Sequence, residues 1–315
     1  MSLAILCSGQ GRQHPDMFAL TGDAAQASGL FVEATRLLGG RDPREVVKTG
    51  SPDALHHDRI GQILCTLQAL AAAAALGDIM PDRIIVAGYS VGELAAWGVA
   101  GRIDPLATLD LADSRADAMD AVSQAGDGLL FVRGLARGVV EGLCERHGGA
   151  IAIINPGDAF ILGGGGEALD AMAAGARAMN AMRVVMVPVE VASHTPRLSA
   201  ASTVFREGLG RLAARPVLPR SPRLLSGVDA APVLDVGEGL DKLAAQISHT
   251  VLWADCLQAC VESGAVAFLE LGPGSALSSM AAAAYPSIPA RSLDDFRTLQ
   301  GVEAWLARYA GSVAS

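Results

Sequence analysis

The residue of this chain best suited to act as a nucleophile is the serine of Gly88-Tyr89-Ser90-Val91-Gly92. It follows the apolar run Ile84-Ile85-Val86-Ala87 and leads into Glu93-Leu94-Ala95-Ala96-Trp97, which reads as a helix start. A strand, then G-x-S-x-G, then a helix is the context of a nucleophile elbow. The two glycines let the chain turn sharply and let other backbone come close. An ordinary serine in a Gly-rich turn is the plainer reading, and the strand and helix on either side argue against it.

A serine nucleophile needs a base, oxyanion donors and a group that recognises its acyl moiety. The chain has six histidines, at 14, 56, 57, 147, 194 and 249. His56-His57-Asp58 lacks a third ligand at metal-binding spacing and reads as a polar surface turn. His147, before Gly148-Gly149, reads as the end of a helix. His194 follows a strand-like run and precedes Thr195-Pro196. Its position leaves both a satisfied structural histidine and a general base open. Arg115 lies on a core-like helical stretch, and by itself reads as a surface or salt-bridged arginine near Asp113 or Asp117.

The elements that must position these residues alternate between β and α character. Residues 3–7 read as a strand and 8–11 as its exit loop. Helical periodicity covers residues 29–38, 60–77, 94–101 and 105–125. Apolar strands alternating with helices predict a parallel sheet covered on both faces. Residues 128–134, 137–147, 150–155, 160–163, 167–181 and 183–191 then run β-α-β-β-α-β, the split βαβ or ferredoxin-like order. The expected layout is a main domain of residues 1–125 and 193–315 with an inserted small domain at 126–192. Residues 196–212 read as helical, 215–226 as a Pro- and Arg-rich connection, 240–263 as two helical stretches and 265–271 as a late strand. The glycines at 163–166 read as a strand-to-helix turn, not a phosphate loop.

Composition agrees with a large buried core. Of 315 residues, 51% are hydrophobic, 18% charged and 4% aromatic, with mean hydropathy +0.35. The net charge of −9 disfavours nucleic acid and anionic membranes as partners. Five scattered cysteines, with no C-x-x-C, argue against a disulfide framework or a zinc site and fit a reducing cytoplasm. Cys256 and Cys260 are expected to share one buried helix face. The apolar run at residues 63–76 falls short of the roughly 20 residues of a membrane span. The N-terminal run lacks a basic region, so no targeting segment is expected.

Six separated segments resemble the malonyl-CoA:acyl-carrier-protein transacylase family, in the family's order. They are Ser8-Gly9-Gln10-Gly11-Arg12-Gln13, Gly88-Tyr89-Ser90-Val91-Gly92-Glu93, Ser114-Arg115-Ala116-Asp117-Ala118-Met119, Ser193-His194-Thr195-Pro196-Arg197-Leu198, Gln246-Ile247-Ser248-His249-Thr250-Val251-Leu252-Trp253 and Glu270-Leu271-Gly272-Pro273-Gly274. The resemblance implies an α/β-hydrolase-like main domain carrying a ferredoxin-like insert. It implies Ser90 as nucleophile, His194 as base and the backbone carbonyl of Gln246 as the base's partner. Backbone N–H groups of Gln10 and Val91 would form the oxyanion hole. Arg115 would hold the free carboxylate of malonyl-CoA, with Met119, Asn155 and Ser193 also lining the substrate site. No tightly bound cofactor or metal is implied. Malonyl-CoA is the donor, and the phosphopantetheine-type thiol of an acyl carrier protein is the acceptor.

Some positions depart from the family pattern. Tyr89 stands where histidine is usual, Cys7-Ser8 opens the first loop, Val191-Ala192 precede Ser193, and His249-Thr250 replace other residues. The first loop and the elbow are most similar to the epsilon subunit of malonate decarboxylase, which charges a dedicated carrier protein. A fatty-acid or polyketide transacylase is the nearest alternative. A serine thioesterase or esterase, or a non-catalytic carrier-binding subunit, represents another class. The carrier is expected to be acidic, with Arg12, Arg197 and the arginines of residues 215–223 as its candidate docking rim.

Overall fold

The computed structural model describes residues 2–218 and 221–310. Its main sheet is parallel, in the order β7-β2-β1-β8-β9. The strands are β1 (Ser2–Cys7), β2 (Ile84–Gly88), β7 (Arg223–Leu224), β8 (Ala265–Glu270) and β9 (Ala290–Ser292). β1 lies at the centre and is almost wholly buried, which is why its sequence is a continuous apolar run. Leu6 of β1 pairs with Ala87 on one side and Glu270 on the other, so both neighbouring strands end beside the loop that leaves β1.

Helices cover both faces of this sheet. α4 (Asp58–Leu76) packs on α5 (Val91–Val99) and α6 (Pro105–Asp120). Four more helices, α1 (Ser28–Leu37), α2 (Pro43–Thr49), α3 (Pro52–His56) and α13 (Leu299–Ala310), also belong to this part of the chain. The helix expected over residues 105–125 stops at Asp120. By length and composition α4 could cross a membrane, which corrects the expectation that its apolar run falls short. Here 78% of its apolar window is buried, so it serves as a core helix.

The second sheet is antiparallel, in the order β4-β5-β3-β6. Its strands are β3 (Gly128–Arg133), β4 (Ala150–Asn155), β5 (Ala159–Gly164) and β6 (Arg183–Val187). α7 (Arg137–His147) and α8 (Gly166–Ala178) pack against each other on one face. The element order is the expected β-α-β-β-α-β, and the glycines at 163–166 form the turn from β5 into α8. β6 ends at Val187 and not at residue 191, so an irregular segment leads up to His194. Val251 joins the two parts of the molecule: its N–H donates to the Ala152 carbonyl and its own carbonyl accepts from Ile154, both at 2.9 Å.

The chain continues through α9 (Ser199–Leu209), α10 (Val236–Ala245), α11 (Trp253–Glu262) and α12 (Ala276–Ala284). Cys256 and Cys260 are both buried on α11, as their spacing predicts. All five cysteines are free thiols.

The elbow depends on close backbone contact. A Cβ on Gly88 would lie 2.1 Å from the Gly92 carbonyl oxygen, and one on Gly92 would lie 2.1 Å from the Cys7 carbonyl oxygen. Neither obstacle is a flexible side chain, so β1, β2 and α5 would have to separate. Gly92→Ala is expected to cost about 3 kcal/mol of unfolding free energy in a urea titration. A loss below about 1 kcal/mol would show that the contact relaxes easily.

Candidate active site

Ser90 occupies the turn between β2 and α5 with φ 57° and ψ −124°. A non-glycine residue at positive φ is strained by about 1–3 kcal/mol, and only the surrounding packing maintains it. His194 is also at positive φ, 62°. Its N–H donates to the Ile247 carbonyl at 2.7 Å, which anchors the irregular segment after β6.

These two residues meet. Ser90 Oγ lies 2.8 Å from His194 Nε2, and His194 Nδ1 lies 2.6 Å from the Gln246 carbonyl oxygen. A carbonyl can only accept, so Nδ1 carries the ring proton and Nε2 presents its lone pair to the serine hydroxyl. His194 is fully enclosed. Burial first, and the nearby Arg115 charge second, push its pKa down to about 3, against the opposing effect of the Gln246 hydrogen bond. The imidazole is therefore neutral at any ordinary pH and free to take a proton from Ser90.

The first loop is held against the elbow. Gly9 packs so tightly that a Cβ there would lie 2.7 Å from the Tyr89 carbonyl oxygen. Ser8 Oγ donates to Glu270 Oε1 at 2.7 Å, and Gln10 Nε2 donates to the Asp58 carbonyl at 2.9 Å. The loop thus carries the Gln10 backbone to the mouth of the site. Val91 lies in the first turn of α5, where N–H groups have no partner within the helix.

Arg115 is 1% exposed, not the surface residue that its flanking aspartates suggested. Asp113 and Asp117 instead pair with Arg59. Arg115 Nη1 donates to Gln62 Oε1 at 2.6 Å, and Nη2 donates to Gln246 Oε1 at 3.3 Å. Burial lowers its pKa to about 10, so it stays charged, and Asp58 and Glu93 help to hold that charge. Met119 reaches the same cluster, its Sδ 3.5 Å from Gln62 Nε2.

A cleft of about 1080 Å³ opens over Ser90 and His194. Ser193 and Asn155 line it, whereas Met119 and Arg115, also expected in the substrate site, are buried and not among its lining residues. Tyr89 also lines it, with its ring edge-on to Trp253 at 5.4 Å. Burial pushes the Tyr89 phenol up to about 12, and the neighbouring Asn155 amide opposes that.

Of the proposed rim arginines among the described residues, only Arg12 lines the cleft. Arg197 is engaged by Asp127 at 2.6 Å and Arg223 by Ser263 at 2.8 Å. Arg220 lies outside the described residues. Two arginines that sequence reasoning missed, Arg133 and Arg183, face each other across β3 and β6 at the cleft. Asp58, Gln62 and Glu93 were also missed as site residues. Asp58, assigned to a polar surface turn, is buried. An Asp and a Gln on the apolar helix α4 and a Glu on the apolar helix α5 were the available signal. Among the described residues, no cluster of three or more His, Cys, Asp or Glu side chains is placed to hold a metal ion.

Comparison with known proteins follows the geometry. No family model matches the chain. It is 30% identical over 289 residues to the polyketide synthase GfsB of Streptomyces halstedii, a match covering 89% of this chain but only 5% of that protein. It is 26% identical over 305 residues to the malonyl CoA-acyl carrier protein transacylase of Salmonella typhimurium, covering 93% of this chain and 96% of that one. The crystal structure of an acyl-carrier-protein S-malonyltransferase from Burkholderia pseudomallei matches with a TM-score of 0.87 at 25% identity, over 96% of this chain and 100% of that one. The chain is thus similar in sequence and in fold to malonyl-CoA:acyl-carrier-protein transacylases over nearly its whole length.

The depressed histidine gives a direct test. An unfolded imidazole takes up its proton near 6.5, whereas His194 resists down to about 3. Its contribution to stability is therefore present above pH 6.5 and is lost as pH falls through that window. The His194 ring resonances are expected to show no titration between pH 8 and pH 5. A midpoint near 6.5 would show that water reaches the ring.

Proposed function

We propose, from the likeness to malonyl-CoA:acyl-carrier-protein transacylases and the geometry around Ser90, that this chain transfers a malonyl group from malonyl-CoA to the thiol of an acyl carrier protein. The observation that carries the reading is the continuous line from Arg115 through Gln246 to His194 and Ser90. It joins a buried cation to an activated serine.

Ser90 Oγ attacks the thioester carbonyl carbon while His194 Nε2 takes its proton. The negative oxygen that forms is met by the N–H groups of Gln10 and Val91. The C–S bond breaks, and the CoA sulfur leaves with the proton from His194. The carrier's prosthetic thiol then attacks the malonyl-serine, its proton passing to His194, and Ser90 is regenerated. Arg115 accepts the free carboxylate of the malonyl group, with Met119, Asn155 and Ser193 shaping the site around it. A hydrolase would instead let water resolve the intermediate. Residues 126–192 act as an inserted small domain on a main domain of residues 1–125 and 193–315, with the transfer taking place at their junction. The free, buried cysteines suit a cytoplasmic setting.

The acceptor is proposed to be the carrier subunit of a malonate decarboxylase. Support comes from the Ser8-Gly9-Gln10-Gly11 loop and from Tyr89, packed on Trp253 where the wider family has histidine. Transfer to a carrier with a phosphoribosyl-dephospho-CoA arm, but not to a fatty-acid carrier, is the expected result. The reverse preference would assign the chain to fatty-acid or polyketide synthesis.

Incubation with malonyl-CoA followed by peptide mass mapping is expected to place a malonyl group on Ser90 and to find none in Ser90→Ala. Modification of another residue would overturn the mechanism. Arg115→Ala is expected to lower kcat/KM for malonyl-CoA on the order of 100-fold more than for acetyl-CoA. Equal losses on both donors would remove the carboxylate role.

A further inference from the structure

Arg115 is fully buried, yet among the described residues no carboxylate forms an ion pair with it. A buried guanidinium ordinarily sits directly on a carboxylate, often through two parallel hydrogen bonds. Here a carboxamide intervenes on each side. Arg115 Nη1 donates to Gln62 Oε1, and Gln62 Nε2 donates to Asp58 Oδ2 at 2.7 Å. Arg115 Nη2 donates to Gln246 Oε1, and Gln246 Nε2 donates to Glu93 Oε2 at 2.9 Å. The two arms have the same order of groups, although they come from different parts of the chain.

The arms are also alike in what they leave open. Asp58 Oδ1 and Glu93 Oε1 are buried with no hydrogen-bond partner. Each carboxylate fixes its neighbouring amide, because an amide N–H₂ must face an acceptor and so turns its oxygen toward the guanidinium. On the Gln246 arm the Ser90 carbonyl adds a second acceptor, at 2.8 Å from Nε2. That arm also has the longer contact to Arg115, at 3.3 Å against 2.6 Å.

We propose that Gln246 and Glu93, with Gln62 and Asp58 as the matching arm, are positioning residues that keep the Arg115 guanidinium aimed and without a carboxylate of its own, so that it selects a substrate carrying a free carboxylate. The proposal rests on the reading of Arg115 given above. The two buried carboxylates act against the desolvation that lowers the guanidinium's pKa. Held one carboxamide away, they do not occupy its hydrogen-bond donors. The incoming carboxylate replaces the Gln246 oxygen on Nη2, the weaker contact and the one beside Ser90. Burial pushes Asp58 up to about 6 and Glu93 up to about 7, so neither holds its charge strongly against an arriving anion.

The test places a carboxylate directly on the guanidinium. Gln62→Glu and Gln246→Glu change few atoms, and each gives Arg115 an internal partner that competes with the substrate. For each variant, KM for malonyl-CoA is expected to rise roughly 30-fold, equivalent to about 2 kcal/mol. In Gln62→Glu, the rate at which a neutral fluorophosphonate labels Ser90 is expected to stay within about threefold, because that probe carries no carboxylate. Gln62→Met, which removes the strap without adding charge, is expected to raise the same KM by only about 3- to 10-fold. If Gln246→Glu does not fold beside Glu93, Gln62→Glu decides alone, since its arm is the one away from Ser90. An unchanged malonyl-CoA KM in the folded Glu variants overturns the proposal, as does an equal loss of fluorophosphonate labelling in Gln62→Glu. Arg115→Ala separates the two readings. If it leaves the malonyl preference intact, the carboxylate role of Arg115 fails; if it abolishes the preference while the Glu variants keep it, only the spacer role fails.

Discussion

The 2.6 Å hydrogen bond between His194 Nδ1 and the Gln246 carbonyl is the constraint on which the rest of the site depends. It sets the tautomer, and the tautomer decides that Nε2 faces Ser90 as an acceptor. A backbone carbonyl holds this position where many serine enzymes use a carboxylate. A neutral acceptor adds no charge to the imidazole, so burial and the Arg115 cation set its pKa and leave it neutral. The same residue then reaches Arg115 with its side chain. Moving the loop after α10 would therefore disturb the base and the arginine together.

Desolvation acts in opposite senses on neighbouring groups. It lowers His194 and Arg115 and raises Asp58 and Glu93, in each case by disfavouring the charged form. Arg115 begins so far above neutrality that it remains a cation, whereas His194 does not. A fixed positive charge and a neutral base thus stand side by side in one low-dielectric pocket. Much of the site's chemistry follows from this difference in starting pKa, with no special feature needed at either residue.

The scaffold makes that pocket by crowding three backbones. β1, β2 and α5 approach so closely at Gly88 and Gly92 that no side chain fits. The first loop is pinned on one side by Glu270, which also accepts from the Ser278 N–H, and on the other by the Asp58 carbonyl. The antiparallel sheet closes the cleft from above and is secured through Val251. The strain at Ser90 and His194 persists because these contacts leave the chain no room to relax.

Much of this was legible in the sequence. The alternating elements, the β-α-β-β-α-β segment and the elbow are local patterns, set by periodicity and by glycines that near neighbours require. Ser90 came from the elbow, and His194 as base and the Gln246 carbonyl from motif resemblance; the structure places the three in contact. Other features were not local. Asp113 and Asp117 flank Arg115 in sequence and suggested a surface ion pair, but helical geometry turns them toward Arg59 and turns Arg115 inward. Asp58, Gln62 and Glu93 gave only the bare signal of polar residues on apolar helices, because an amide or a carboxylate there gains its meaning only from what lies opposite. The sequence by itself determined which elements form and which residue types can react. Tertiary structure alone decided which polar groups share a dry pocket, because burial and distance depend on segments remote in the chain.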